Sequence, residues 1–273
     1  MKALGRAGVW VRHTDISPPV AAELEQLGYS ALWLGSSPPA SLEMADPLLE
    51  ATESLVVGTS IVNIWTAPAA FVAASFHRLE DRFPGRFCLG IGAGHPEHEA
   101  AYSKPYEALV AYLDELDRAG VPVSRRALAA LGPRVLDLAR DRSAGTLPYL
   151  VTPEHTRSAR ARLGPDALLV AEQKVVVCPD PEQARRIGRE RVAPYLKLAN
   201  YLANLHRAGF GVEDVTLPGS DRLIDALVVH GAPEAVADGL GAHLRAGANQ
   251  VAVQFLSDDG DILPAARELA ALI

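Results

Sequence analysis

Residues 78–94, RLEDRFPGRFCLGIGAG, decide how this chain is read. Arg78 to Arg82 reads as the end of a helix, and Pro84-Gly85 turns the chain. Phe87 to Ile91 is then a short, unbroken apolar run of the kind a parallel sheet buries on both faces. Gly92-Ala93-Gly94 opens at the C-terminal end of that strand, where parallel α/β folds place their ligands. A matching event lies upstream, where the apolar run 55–61 passes through Gly58 and ends in Ser60-Ile61-Val62-Asn63. Two neighbouring strands that both open into ligand-permissive loops suggest a cofactor-binding barrel.

Outward from this stretch, strand-like and helical runs alternate, the pattern of repeated βα units on a mainly parallel sheet. Strands are predicted at 9–11, 31–34, 56–62, 87–91, 126–131, 146–151, 168–177 and 250–256. Helices are predicted between them, with start signals at Ser17-Pro18-Pro19, Asp46-Pro47 and Thr152-Pro153-Glu154 and a stop at Gly28. The helix at 68–82 sets Phe71, Ala74, Phe76 and Leu79 near a 3.6-residue period. A long helical excursion follows the seventh strand, broken near Pro194 and spanning about 181–225. Eight strands in roughly 250 residues is the arithmetic of a (β/α)8 TIM barrel in an α/β chain; an open doubly wound sheet is the alternative.

With 273 residues, 49% of them hydrophobic, the chain can bury a full core. No Pro/Gly/Ser-rich linker, low-complexity tract or charge block divides it, so residues 1–273 are expected to form a single domain. The formal net charge is -7, with basic residues mixed among acidic ones, which argues against a nucleic-acid partner. Cys88 and Cys178 lack any CxxC spacing, and a reducing cytoplasm suits them. No segment reaches the roughly 18 uninterrupted apolar residues of a membrane span, and no signal-peptide run follows Lys2 and Arg6. A cytoplasmic protein with no membrane partner is expected.

At GTSIVNIW (58–65) and DRFPGRFCLGIGAG (81–94) the sequence resembles the bacterial luciferase-like superfamily, a (β/α)8 group that uses flavin mononucleotide (FMN) or the deazaflavin coenzyme F-420. The resemblance runs through LGYSALWLG (27–35), LAALGPRVLDLARDRSAGTLPYLVTPEHT (128–156) and HGAPEAVADGLGAHLRAGANQVAVQ (230–254). With PYLVTPEHT followed by LLVAEQKVVV, it looks most like the deazaflavin-dependent oxidoreductases of actinobacteria. It implies a non-prolyl cis peptide at Ser60-Ile61, forming a bulge behind the coenzyme's ring system. Asn63 would then reach the ring edge, or else serve only as a turn residue.

After the fourth strand, the resemblance places Ala93, Gly94, His95 and His98 against the coenzyme. It places Ala130, Leu131 and Gly132, where Pro133 starts a helix, near the phosphate-bearing tail. Tyr149 is expected on the same face, as are Glu172 and Gln173. Where deazaflavin-dependent dehydrogenases carry an acid-histidine pair after the second strand, this chain has Ser36-Ser37. Serine alone is a poor general base, so alcohol oxidation is disfavoured; Ser36 is assigned to the cofactor and Ser37 takes the catalytic place. His95 is the expected proton donor, with His13, Trp65 and Glu172 lining a substrate pocket. No metal is expected, because His95 and His98 have only Glu97 and Glu99 beside them. The ion-pair cluster of Glu80, Asp81, Arg82 and Arg86 is read as structural.

The leading expectation is an oxidoreductase moving a hydride between coenzyme F-420 and a small organic substrate, by reduction of an activated C=C or C=O. The alternatives are an FMN-dependent monooxygenase supplied by a separate reductase and a non-catalytic barrel that binds a flavin-like ligand. A homodimer is expected, since helices carry apolar residues that a monomer would expose.

Overall fold

In a computed structural model of the protein, which describes residues 2–95, 97 and 104–273, side-chain alternation sorts the core into two shells. On β1 (Ala7–Arg12), Val9 and Val11 join the apolar shell shared with the surrounding helices, whereas Trp10 joins a cluster built almost wholly from strand residues. A strand's neighbours point to opposite faces, so this second cluster is the barrel interior. It gathers Trp10, Trp33, Cys88, Ala127, Val170 and Ala252.

The other strands are β2 (Ala31–Gly35), β3 (Val56–Thr59), β4 (Val62–Asn63), β5 (Phe87–Gly92), β6 (Arg126–Leu128), β7 (Gly145–Thr146), β8 (Leu168–Val177), β9 (Val228–Gly231) and β10 (Gln250–Phe255). They run parallel in the order β10-β1-β2-β3-β5-β6-β7-β8, and β8 pairs with β10 to close the ring. β4 continues β3 and pairs with β5; β9 pairs with the last residues of β8. The result is a closed eight-stranded (β/α)8 barrel forming a single domain. Its interior is packed: the Trp33 indole donates to Gln250 Oε1 at 2.7 Å and lies where Gly58 has no side chain, a Cβ there falling 2.5 Å from the ring.

Helices α1 (Pro18–Gln26), α2 (Ala45–Glu50), α3 (Ala69–Arg82), α4 (Pro105–Arg118), α5 (Pro133–Arg142) and α6 (Pro153–Leu163) accompany the first seven barrel strands. The excursion comprises α7 (Pro181–Val192), a 3-10 turn at Ala193–Lys197, α8 (Ala199–Arg207), α9 (Val212–Val215) and α10 (Asp221–Leu227), and has an apolar cluster of its own. After β9 come α11 (Pro233–Arg245), β10 and α12 (Leu263–Ala270). Proline occupies the first turn of α1, α5, α6, α7 and α11, where its missing N–H costs nothing. Among the described residues no helix is long and apolar enough to cross a membrane.

Several boundaries differ from those predicted. The third strand is not continuous over 56–62 but breaks at Ser60-Ile61, whose peptide bond is cis. The sixth ends at Thr146 instead of Val151, because Leu150 takes a left-handed conformation (φ +57°) and gives its N–H to the Glu172 carboxylate instead of a ladder. The fifth stops at Leu128. Asp46 does not cap its helix; it lies inside the first turn of α2 and binds Arg78 and Arg82. On α3 the buried face is Ala69, Val72, Ala73, Phe76 and Leu79, leaving Phe71 outward and 68% exposed. Among the described residues Arg86 has no ion-pair partner: its guanidinium donates to the carbonyls of Leu49, Thr52 and Leu55, while Glu80 pairs with Arg125.

Candidate functional site

The C-terminal ends of the strands surround a cavity of about 1080 Å³. Its floor starts at β1, where the Trp10 indole donates to Ser60 Oγ at 3.1 Å and so ties the first strand to the cis bulge. That indole can lie across the end of β2 only because residue 35 is glycine; a Cβ there would fall 2.0 Å from Trp10. Ser36 and Ser37, both left-handed (φ +64° and +50°), follow at the rim. Ser60 and Ile61 form one wall, Gly92 to His95 the next, and Ala129 to Gly132 the one beyond.

Tyr149 stands across the floor, its ring 5.1 Å from that of Trp10. Its hydroxyl donates to Gln254 Oε1 and meets the Tyr195 hydroxyl, both at 3.0 Å. Beneath it, Lys174 and Glu172 project inward from β8, two residues apart and hence on one face. Lys174 Nζ is 3.0 Å from Glu172 Oε1 and 3.9 Å from the Tyr149 ring centroid, and the ammonium is wholly buried. Burial pulls the lysine pKa down, and the carboxylate beside it opposes that pull. Burial also holds Tyr149 and Tyr201 well above the ordinary phenol range and raises Tyr195, so all three remain hydroxyl donors at neutral pH.

The cover comes from the excursion. Tyr195, Leu198, Asn200 and Tyr201 face the cavity, and the loop after β5 is joined to them. His95 Nδ1 lies 2.9 Å from Asn200 Oδ1, its ring stacks 5.1 Å from Tyr201, and Glu97 accepts from the Ala199 N–H at 2.9 Å. The α8 N-terminus is thereby held over the glycine-rich strand end.

Of the residues predicted from sequence, Ser36, Ser37, Ser60, Ile61, Ala93 and Gly94 line this cavity, as do His95, Ala130, Leu131, Gly132 and Tyr149. Others support it from behind. Asn63 is buried and accepts from the Trp65 N–H; Trp65 in turn donates its indole N–H to Ala93 O, which ties it to the β5 loop. Glu172 lies under the floor, engaged by Lys174 and the Leu150 N–H. Gln173 points the opposite way along the strand and meets His243 Nε2 at 2.8 Å. His13 is not among the lining residues, and its N–H is bonded to Gly35 O. His98 lies outside the described residues. Sequence reasoning missed Trp10, Tyr195, Asn200 and Tyr201. For Trp10 the signal was its place between two valines of β1; the excursion carried none.

The site suits a flat, multi-ring ligand. The lining is largely apolar and aromatic, glycine backbone allows close approach, and the volume exceeds what one small substrate requires. The sequence profile of the luciferase-like monooxygenase family matches residues 18–119. No curated protein matches the chain in sequence. Among solved structures, an F-420-dependent secondary alcohol dehydrogenase in complex with an F-420-acetone adduct superposes with a TM-score of 0.78 at 15% identity, covering 99% of this chain and 98% of its own. The coenzyme F-420-dependent tetrahydromethanopterin reductase of Methanopyrus kandleri gives 0.76 at 17% identity, with 99% of each chain covered. The oxygenating constituent of 3,6-diketocamphane monooxygenase from Pseudomonas putida, a type II Baeyer-Villiger enzyme with FMN, gives 0.70 at 13% identity over 97% and 95%. The profile match over residues 18–119 shows a likeness to the luciferase-like monooxygenase family in that part of the chain, and the solved structures show that the whole chain shares their (β/α)8 barrel fold.

Proposed function

We propose that the protein is an oxidoreductase that holds coenzyme F-420 in the barrel mouth and reduces an activated C=C or C=O of a small organic substrate. The observation that carries this reading is the large apolar and aromatic cavity at the strands' C-terminal ends, lined by Ile61, Gly92 to Gly94 and Tyr149. Ile61 and the glycine strand end offer a flat apolar backing, Ser36 and Ser60 offer hydroxyls at the ring edge, and the Leu131-Gly132 turn at the start of α5 suits the tail. When bound, the coenzyme supplies a ring carbon that gives or takes a hydride.

The chain's own groups orient the substrate, exclude water and deliver a proton. Tyr195 and Tyr201 cover the cavity and dry it. His95, oriented by Asn200, is the proton donor to the substrate atom that accumulates negative charge, and Ser37 at the opposite rim hydrogen-bonds that atom. Reduction suits this set better than alcohol oxidation, which needs a base at the Ser37 position. The FMN-bound monooxygenase neighbour supports a second reading, oxygen activation on flavin.

Fluorescence titration with F-420 and, in parallel, FMN separates them. Micromolar or tighter binding of F-420 alone, followed by oxidation of its reduced form by enones or ketones, is the expected result. Preference for FMN moves the assignment to the monooxygenase, and binding of neither overturns both.

A further inference from the structure

A second cavity, of about 530 Å³, lies between α5, α6 and the end of α8. One wall is apolar, from Leu131, Pro133 and Leu136; His155, Arg162 and Arg207 supply the polar side. His155 Nε2 is buried without a hydrogen-bond partner among the described residues. A buried polar atom left so is costly and points to a missing partner. Arg162 is already neutralised, bonding Asp137 at 2.5 Å and Pro133 O at 2.9 Å. The Arg207 guanidinium has one hydrogen bond, to Asn204 Oδ1 at 3.2 Å, and no carboxylate within ion-pair distance among the described residues. Glu154 at the rim is turned to Arg157 at 3.6 Å.

We propose that this cavity is an oxyanion site, taking a carboxylate or phosphate group between the His155 imidazole and the Arg207 guanidinium. The uncompensated positive charge selects an anion and repels a cation. The orphan Nε2, in its N–H tautomer, donates a hydrogen bond that an oxygen acceptor completes. Leu131 lines both this cavity and the main one, so two sources of the group fit: the anionic tail of a ligand whose rings occupy the main cavity, or a free small anion. Only the first rests on the proposed function.

The test is titration of the full-length protein with inorganic phosphate and, separately, glutarate, followed by the imidazole nitrogen resonances of His155 and by calorimetry. Saturable movement of the His155 resonance is expected, with affinity weakened roughly tenfold or more in Arg207→Gln, an exposed position whose replacement leaves the far-UV circular dichroism unchanged. No movement at millimolar anion, or equal affinity in Arg207→Gln, overturns the site. F-420 and its deazaflavin core lacking the phosphate-bearing tail then identify the source. Displacement of phosphate by F-420 but not by the bare core assigns the site to a tail, and retention of phosphate with both assigns it to a free anion. If neither flavin nor F-420 binds the main cavity, the response of His155 to phosphate still decides the matter.

Discussion

The ammonium of Lys174 lies 3.9 Å from the centroid of the Tyr149 ring, so the aromatic floor of the main cavity rests on a buried charge. Among the described residues that charge is balanced by Glu172 alone of the carboxylates, at 3.0 Å. Replacing Lys174 by Met keeps the volume but strands a buried carboxylate, and breaking such a pair costs about 3–5 kcal/mol. Urea unfolding of Lys174→Met is expected to show a loss of that order, with the double replacement Lys174→Met and Glu172→Leu recovering much of it. An unchanged midpoint in the single variant would show that the pair does not bear on stability.

Acid sensitivity follows from two buried histidines. Burial pushes His155 down to about 4, helped by the Arg207 charge, and pushes His243 down to about 4, helped by its proximity to His155. Both folded values lie below the ordinary 6.5, so the unfolded chain binds more protons in this window, and stability must rise with pH between about 4 and 6.5. The contribution is fully present above pH 6.5 and lost as pH falls toward 4. Unfolding free energies at pH 7.5 and pH 5 should differ markedly for the native chain and less for His243→Gln. The half-buried carboxylate of Glu25, which burial opposes but the N–H groups of Glu53, Ser54 and Leu55 hold down at about 2, titrates below that window.

At Gly35 the expectation is steric. Gly35→Ala drives a methyl into the Trp10 indole, which must then leave Ser60. Overpacking of this kind costs about 1–3 kcal/mol, and tryptophan emission and affinity for the ring-bearing ligand should change together. Normal binding with native emission would show that Trp10 is not part of the floor.

Tyr195→Phe removes the hydroxyl that joins the cover to Tyr149. A loss near 1 kcal/mol in stability is expected, with faster release of bound coenzyme as the larger effect, read by stopped-flow fluorescence. If release is unaltered, the tyrosine pair does not govern the cover.

The barrel was legible because each strand advertises itself locally, and the cis bulge because Ser60 and Ile61 sit in a recognisable run. Parity along β8 was equally present in the sequence: Val170 faces inward, so Glu172 and Lys174 must as well and Gln173 must not. Asn63 and Trp65 were assigned to ligand because their positions follow a strand end; folding also links Trp65 to Asn63 and to Ala93, which a linear reading does not show. β9 was missed because four residues at the end of a helix carry no period. The tyrosines of the cover escaped notice for a different reason. Their helices read as ordinary amphipathic turns, and only folding brings residues 195–201 over a loop a hundred positions earlier in the chain.

That cover is one unbroken stretch inserted between two strands, whereas the floor is assembled from the barrel itself. The inserted stretch can therefore be exchanged as a cassette, changing which molecules are admitted while the barrel floor beneath is kept intact.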